Sequence, residues 1–144
     1  MKATFRFFLF FVAISTFALT ACEPVENDPT TDDDRDPYVG VWQFLEDSYK
    51  STNGQSYIVS IEKDPDNSSQ VILTNFGNPG AQDINVYGLV TSNQIVISSQ
   101  SLSNGWTVDG IGKVSNAGKT SMTWTYSITA GGNKDTYTAT ANRQ

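Results

Sequence analysis

The chain has 144 residues, a formal net charge of −6, no histidine and a single cysteine. Without histidine it lacks the most common general base near neutral pH and the most common metal ligand, and one cysteine cannot form an intramolecular disulfide. The composition therefore argues against zinc sites, Ser-His-Asp or Cys-His catalysis and, because no basic stripe is present, nucleic acid as a partner. We expect no catalytic residues, no metal site and no cofactor.

Residues 1–21 have the pattern of a secretory signal sequence. Lys2 and Arg6 precede an apolar run from Phe7 to Leu19, as a charged region precedes the hydrophobic region of such signals. The run is shorter than the ~20 apolar residues of a membrane-crossing helix, and acidic residues follow it, which disfavours a transmembrane segment. An ordinary signal peptide would carry a small residue three positions before the cut, where Leu19 stands.

The end of this segment, Leu19-Thr20-Ala21-Cys22, resembles the lipobox of bacterial lipoproteins. The resemblance implies cleavage before Cys22, a diacylglyceryl group on its sulfur and a further acyl chain, such as palmitate, on its nitrogen. Two or more acyl chains hold a protein stably at a bilayer. We therefore expect a Gram-negative lipoprotein that Cys22 anchors to the outer membrane, on its periplasmic or cell-surface face.

Residues 22–37 are expected to form a disordered acidic tether. They contain seven acidic residues, one basic residue (Arg35) and three prolines. Such a stretch buries too little apolar surface to offset the entropy lost on ordering, and both charge and proline extend it. The predicted organisation is a signal peptide over 1–21, a lipidated tether over 22–37 and a folded domain over 38–144.

The folded domain is predicted to be all-β, because apolar and polar residues alternate with period two and turn residues separate the alternating segments. The predicted strands cover Tyr38–Asp47, Ser56–Lys63, Gln70–Phe76, Asp83–Val90, Gln94–Ser99, Trp106–Val114, Ser121–Thr129 and Asp135–Asn142. The gaps between them are short enough for hairpins but too short for parallel crossovers. An antiparallel up-and-down meander follows.

Two architectures hide the apolar face of such a meander: a closed eight-stranded barrel and a β-sandwich. Gly88, Gly110 and Gly112 fall inside predicted strands, where glycine permits sharp bending. Closure also removes exposed sheet edges. The pattern therefore favours the barrel, with the sandwich as the alternative.

At the first strand, Gly40-Val41-Trp42 resembles the Gly-x-Trp signature of lipocalin-like (calycin) barrels. In that family the tryptophan closes one end of the barrel, often under a basic residue from the last strand. The resemblance implies a barrel-closing pair of Trp42 and Arg143, whose guanidinium would stack on the indole. Burial of Trp42 in an ordinary core is the alternative interpretation.

Four aromatic residues, Trp106, Trp124, Tyr126 and Tyr137, are the candidate ligand-binding residues, because inward-facing aromatics would line any cavity. The carboxylates, Glu46 among them, lie mostly at predicted strand ends or turns, where acids are normally solvated. No catalytic pair is predicted from them.

These features predict a non-enzymatic, lipid-anchored envelope protein that binds a small apolar ligand or assists an envelope protein complex. Two alternatives remain open: a surface carbohydrate-binding or adhesion module, and a structural or inhibitor protein. Ligand binding requires aromatics that point inward, glycan binding requires an exposed flat aromatic strip, and a structural role requires a contiguous exposed patch.

Overall fold

Eight strands follow one another in the computed structural model, which describes residues 33–47, 55–80 and 84–144. The strands are β1 (Gly40–Asp47), β2 (Gln55–Lys63), β3 (Gln70–Thr74), β4 (Asn85–Thr91), β5 (Gln94–Ser101), β6 (Thr107–Val114), β7 (Ser121–Ala130) and β8 (Asn133–Arg143). Each pairs antiparallel with the next, and β8 pairs with β1 to close the barrel. The predicted all-β up-and-down barrel is confirmed, and the sandwich alternative is excluded.

Part of the predicted organisation falls outside the described residues. The signal segment, Cys22 and the tether up to residue 32 all lie there. Among the residues that are described, no helical segment has the length and apolarity that crossing a bilayer requires.

Strict alternation along the strands builds the core. On β1, Trp42, Phe44 and Glu46 point into the barrel, while Val41 and Leu45 point outward. Each fully buried large apolar side chain contributes about 1.5–3 kcal/mol to folding. A shift of the pairing by one residue would turn this whole set to solvent, so the burial pattern fixes the register.

Two glycines of β6 make room for the two largest inward side chains of β7. Gly112 is opposite Trp124, and Gly110 is opposite Tyr126. A Cβ atom at Gly112 would overlap the Trp124 ring, and one at Gly110 would lie 2.5 Å from Cβ of Tyr126. Only glycine fits at either position, so the interior of the barrel is shaped around these aromatics.

The third strand ends earlier than predicted. Asn75 follows Thr74 with a φ of 66°, a left-handed conformation that ends the strand. Phe76 therefore belongs to the β3–β4 loop and not to a strand. Its side chain is nevertheless fully buried. The core of this barrel thus includes a residue that a loop supplies.

The folded part of the chain begins before the expected boundary at Tyr38. Arg35, in the segment predicted to be a disordered tether, is buried, and its Nη1 donates to the carbonyl oxygens of Asp64 and Asn67 at 3.0 and 2.9 Å. Its Nε and Nη2 bond the carboxylate of Asp33, which also pairs with Lys63. The arginine adds charge-assisted hydrogen bonds to backbone carbonyl oxygens of the β2–β3 turn, and these contacts hold the segment from Asp33 onward against the barrel.

Candidate functional site

The barrel has two ends that differ in chemistry. The N-terminal pole, where β1 begins and β8 ends, carries Trp42 and Arg143. The glutamate pole, where β1 ends and β8 begins, carries Glu46, Tyr57 and Tyr126.

At the N-terminal pole the structure brings Trp42 and Arg143 together. They are register partners on β1 and β8, and the guanidinium carbon lies 4.6 Å from the centre of the indole ring. Arg143 Nη1 donates to the carbonyl oxygen of Val39 at 2.6 Å, and Nη2 donates to that of Pro37. Trp42 Nε1 donates to the carbonyl oxygen of Tyr38 at 2.8 Å. The Trp42 indole N–H and the two terminal nitrogens of Arg143 therefore all donate to backbone carbonyl oxygens.

At the glutamate pole a carboxyl group lies inside the barrel. Glu46 is 5% exposed, because the alternation that buries Trp42 and Phe44 continues for one more inward position. The expectation that this acid is solvated at a strand end is therefore wrong. The Tyr126 hydroxyl donates to the Glu46 carboxylate, and the Tyr57 hydroxyl lies 2.9 Å from that of Tyr126.

Burial sets the electrostatics of this cluster. It raises the pKa of Glu46, and hydrogen bonding from Tyr57 opposes that shift. Burial also raises the pKa of Tyr57, and the negative charge of Glu46 adds to the effect. Among the described residues, no lysine or arginine forms an ion pair with Glu46. Glu46 is thus a buried acid that tyrosine hydroxyl groups solvate in part and that no described lysine or arginine neutralises.

Aromatic rings surround this cluster, with Phe76 at their centre. The Phe76 ring centroid lies 4.8 Å from that of Tyr126, 5.1 Å from that of Trp124 and 5.9 Å from that of Phe44. These spacings are those of packed aromatic pairs. Trp124 Nε1 is buried without a hydrogen-bond partner among the residues that the structure describes. Within the described part of the chain, the glutamate pole therefore combines a donor without a partner, an acid without a cation beside it and several aromatic rings.

The candidate ligand-binding residues take different positions. Trp124 and Tyr126 point into the barrel, and Tyr137 is half-buried and stacks on Tyr126 with ring centroids 5.3 Å apart. Trp106 precedes β6 and packs half-buried against the edge of the core. In the described part of the chain no ring contact joins Trp106 to the other three. The structure brings three of the four together.

Sequence reasoning missed two members of this site: Glu46 and Phe76. The period-two pattern that starts at Trp42 was sufficient to place Glu46 inside. No comparable signal marked Phe76, because its burial depends on the path of a loop across the barrel.

The outer surface carries an apolar stripe across four neighbouring strands. Register pairs and same-face neighbours connect its members: Tyr87, Leu89 and Ile111 are exposed, and Ile72 and Val96 are half-buried. A groove of about 340 Å³ adjoins it where β4 and β5 separate. There the side-chain amide of Gln100 replaces a strand neighbour, accepting from the Tyr87 backbone N–H at 3.0 Å and donating to its carbonyl oxygen at 2.7 Å.

Two further sequence expectations concern the outer surface and metal binding. Tyr87 is the one aromatic side chain among the exposed large apolar residues of the described region, so that region presents no flat aromatic strip. Residues 33–47, 55–80 and 84–144 contain no cluster of three or more potential metal ligands.

No family model matches this chain, and no curated protein matches its sequence. The chain is similar to the solved structure of EF1p2_mFAP2b bound to DFHBI, with a TM-score of 0.50 and 16% identity over 78% of this chain and 98% of that chain. It is also similar to the redesigned β-barrel b11L5F_LGL (TM-score 0.48, 14% identity, 78% of this chain and 96% of that chain). A third similar structure is a de novo designed fluorescence-activating β-barrel (TM-score 0.48, 16% identity, 78% of this chain and 98% of that chain). At 16% identity the likeness to EF1p2_mFAP2b shows the fold alone.

Proposed function

We propose that this protein is a lipid-anchored, non-enzymatic β-barrel of the cell envelope that binds a small apolar or amphipathic ligand at the glutamate pole. The observation that carries the proposal is the buried Glu46 carboxyl, hydrogen-bonded to tyrosine inside an aromatic interior. A core selected for stability alone gains nothing from an uncompensated buried acid. Departures from the apolar pattern of a core are expected at functional sites.

The fold supports this proposal. An eight-stranded barrel is just wide enough to hold one small ligand when its side chains leave space. EF1p2_mFAP2b, which shares the fold, was solved bound to DFHBI. In the present barrel Ala139, the register partner of both Glu46 and Trp124, is the small inward residue beside these two larger ones.

The anchoring part of the proposal rests on the lipobox-like sequence that ends at Cys22. Arg35 holds the segment from Asp33 onward at the N-terminal pole, which is the end of the barrel opposite Glu46. The segment between Cys22 and Asp33 can span about 35 Å when fully extended.

Native mass spectrometry of protein purified from its own membrane tests the ligand-binding proposal. A passenger molecule is expected, and its release should shift the NMR signal of the Trp124 indole N–H while leaving that of Trp42 unchanged. A protein without a passenger, and whose Trp124 signal responds to no small apolar or amphipathic compound, would refute the ligand-binding role.

Substitution of the cysteine tests the anchor separately. Cys22→Ser should give an uncleaved or soluble, unlipidated product, because the serine hydroxyl cannot carry the thioether. Partitioning into detergent is the measurement. A variant that partitions as the wild type does would contradict the lipoprotein assignment without affecting the barrel.

A second candidate role is docking to an envelope protein, and the apolar stripe on β3–β6 favours it. Contiguous exposed apolar surface is uncommon on monomers and marks interaction sites. Leu89→Lys should abolish crosslinks between this face and a partner in the envelope while leaving the fold intact. A glycan-binding role has weaker support, because Tyr87 is the only exposed aromatic side chain that the described outer surface offers.

A further inference from the structure

Resting on the proposed ligand-binding role, we infer that the glutamate pole takes a small aromatic organic cation, whose charge pairs with Glu46 and whose ring takes the place of the Phe76 ring. Three observations carry it: the buried acid without a described cation beside it, the aromatic surroundings and the loop origin of Phe76.

The acid selects the charge of the ligand. Glu46 receives a hydrogen bond from the Tyr126 hydroxyl, and none of the described lysines or arginines pairs with it. An ammonium group would supply both the missing charge and further donors, and hydrogen bonds between two charged groups are the stronger kind. A neutral ligand would leave the acid uncompensated, and an anionic ligand would be repelled.

The surrounding rings favour an aromatic ligand. Aromatic rings attract one another when their centroids lie about 4.5–7 Å apart. Trp124, Tyr126 and Phe44 all pack around the position that the Phe76 ring occupies. A ligand ring placed there would meet the same three neighbours, and its charged group would extend toward Glu46.

Phe76 is the ring that can leave without breaking the barrel. The other members of the cluster project from strands whose ladders hold them in place. Phe76 instead lies in a loop whose Asn75, Gly77, Asn78 and Gly80 have positive φ values between 50° and 77°. Displacement of its side chain therefore requires a change in the loop and no loss of strand pairing.

Three probes of similar size and different charge test the inference on the full-length lipidated protein in detergent. They are 2-phenylethylamine, 2-phenylethanol and 3-phenylpropionate. The NMR signal of the Trp124 indole N–H reports binding, and that of Trp42 at the opposite pole serves as an internal control. The amine should bind at least about tenfold more tightly than the alcohol, which corresponds to ~1.4 kcal/mol, and the carboxylate should not bind.

Two variants connect this preference to the named residues. Glu46→Gln should abolish the preference for the amine while the alcohol still binds, and the exposed Glu62→Gln should change neither. Phe76→Ala should tighten binding of both the amine and the alcohol, because the position of the ring is then vacant.

The outcomes separate the ligand class from the proposed function. Equal binding of the amine and the alcohol to the wild type would overturn the cationic class and leave the ligand-binding role intact. An amine preference that persists in Glu46→Gln would overturn the role of Glu46. Absence of any Trp124 response to the three probes, in both the wild type and Phe76→Ala, would overturn the inference together with the ligand site itself.

Discussion

Both poles of the barrel carry charged side chains, and the poles differ in the partners that these side chains have. Arg35 and Arg143 at the N-terminal pole donate to backbone carbonyl oxygens, and the Arg143 guanidinium covers the face of Trp42. Glu46 at the glutamate pole receives a tyrosine hydroxyl and has no described cationic partner. A charge that several backbone carbonyl oxygens accept from, as at the N-terminal pole, stabilises one closed structure. A charge without such partners is a position where a ligand can add favourable contacts.

The largest expected effect comes from Phe76→Ala at the glutamate pole. Loss of this fully buried ring should lower the free energy of unfolding by about 3–5 kcal/mol, since truncation leaves a cavity among three other rings. Chemical denaturation is the measurement, with Tyr87→Ala on the outer surface as the control, for which a small loss is expected. A loss below about 1 kcal/mol would mean that the Phe76 ring does not fill the barrel.

Gly112→Ala tests how tightly the walls of the glutamate pole hold Trp124. The added methyl group would overlap the indole ring and displace it toward Phe76, so a loss of about 1–3 kcal/mol is expected. Gly105→Ala adds the same methyl group in open space, although its positive φ adds backbone strain of its own. Equal losses for the two variants in thermal unfolding would argue against a tight contact at Gly112.

Arg143→Ala examines the N-terminal pole and should have a smaller effect. Removal of the guanidinium exposes the Trp42 ring and should cost about 0.5–2 kcal/mol through the lost cation–π contact. Trp42 fluorescence should shift to longer wavelength as water reaches the indole. Lys134→Ala, which removes an exposed ion pair with Asp109, is the control. If Arg143→Ala leaves both stability and fluorescence unchanged, Arg143 does not close this pole.

The smallest expected effect is a pH dependence that belongs to one pole only. Because burial raises the pKa of Glu46, the folded protein binds this proton more strongly than the unfolded chain does. The contribution to stability is therefore complete below the ordinary value of 4.5 and is lost as pH rises through the higher pKa of the folded state. The difference in unfolding free energy between the wild type and Glu46→Gln should fall over that range. A flat difference would contradict the raised pKa.

Most of the barrel could be predicted from the chain. The period-two pattern and the turn residues located all eight strands, with ends that differ from the structure by at most two residues. The pairing of Trp42 with Arg143 follows once the first and last strands are neighbours. Both depend on local alternation and chain order, and a sequence displays these directly.

The candidate site was harder to predict, for reasons that differ between residues. Glu46 follows the same alternation as Trp42 and Phe44, which would place it inside the barrel. The prediction instead followed the general tendency of acids to be solvated and placed it in water. Arg35 was assigned to the tether because the composition of its neighbourhood is acidic, whereas its partners are carbonyl groups about thirty residues away along the chain. Composition does not report contacts at that distance.

The sequence alone determined the strands, their alternating faces and the absence of histidine chemistry, because each of these depends on neighbouring residues or on counts. Only the tertiary structure decided that Phe76 fills the barrel from a loop, that Arg35 orders the segment before β1 and that Glu46 has no described cation beside it. These features depend on which distant parts of the chain meet inside the closed barrel. The pairing of β8 with β1 closes the barrel, and only then do the inward-facing residues of all eight strands surround one interior.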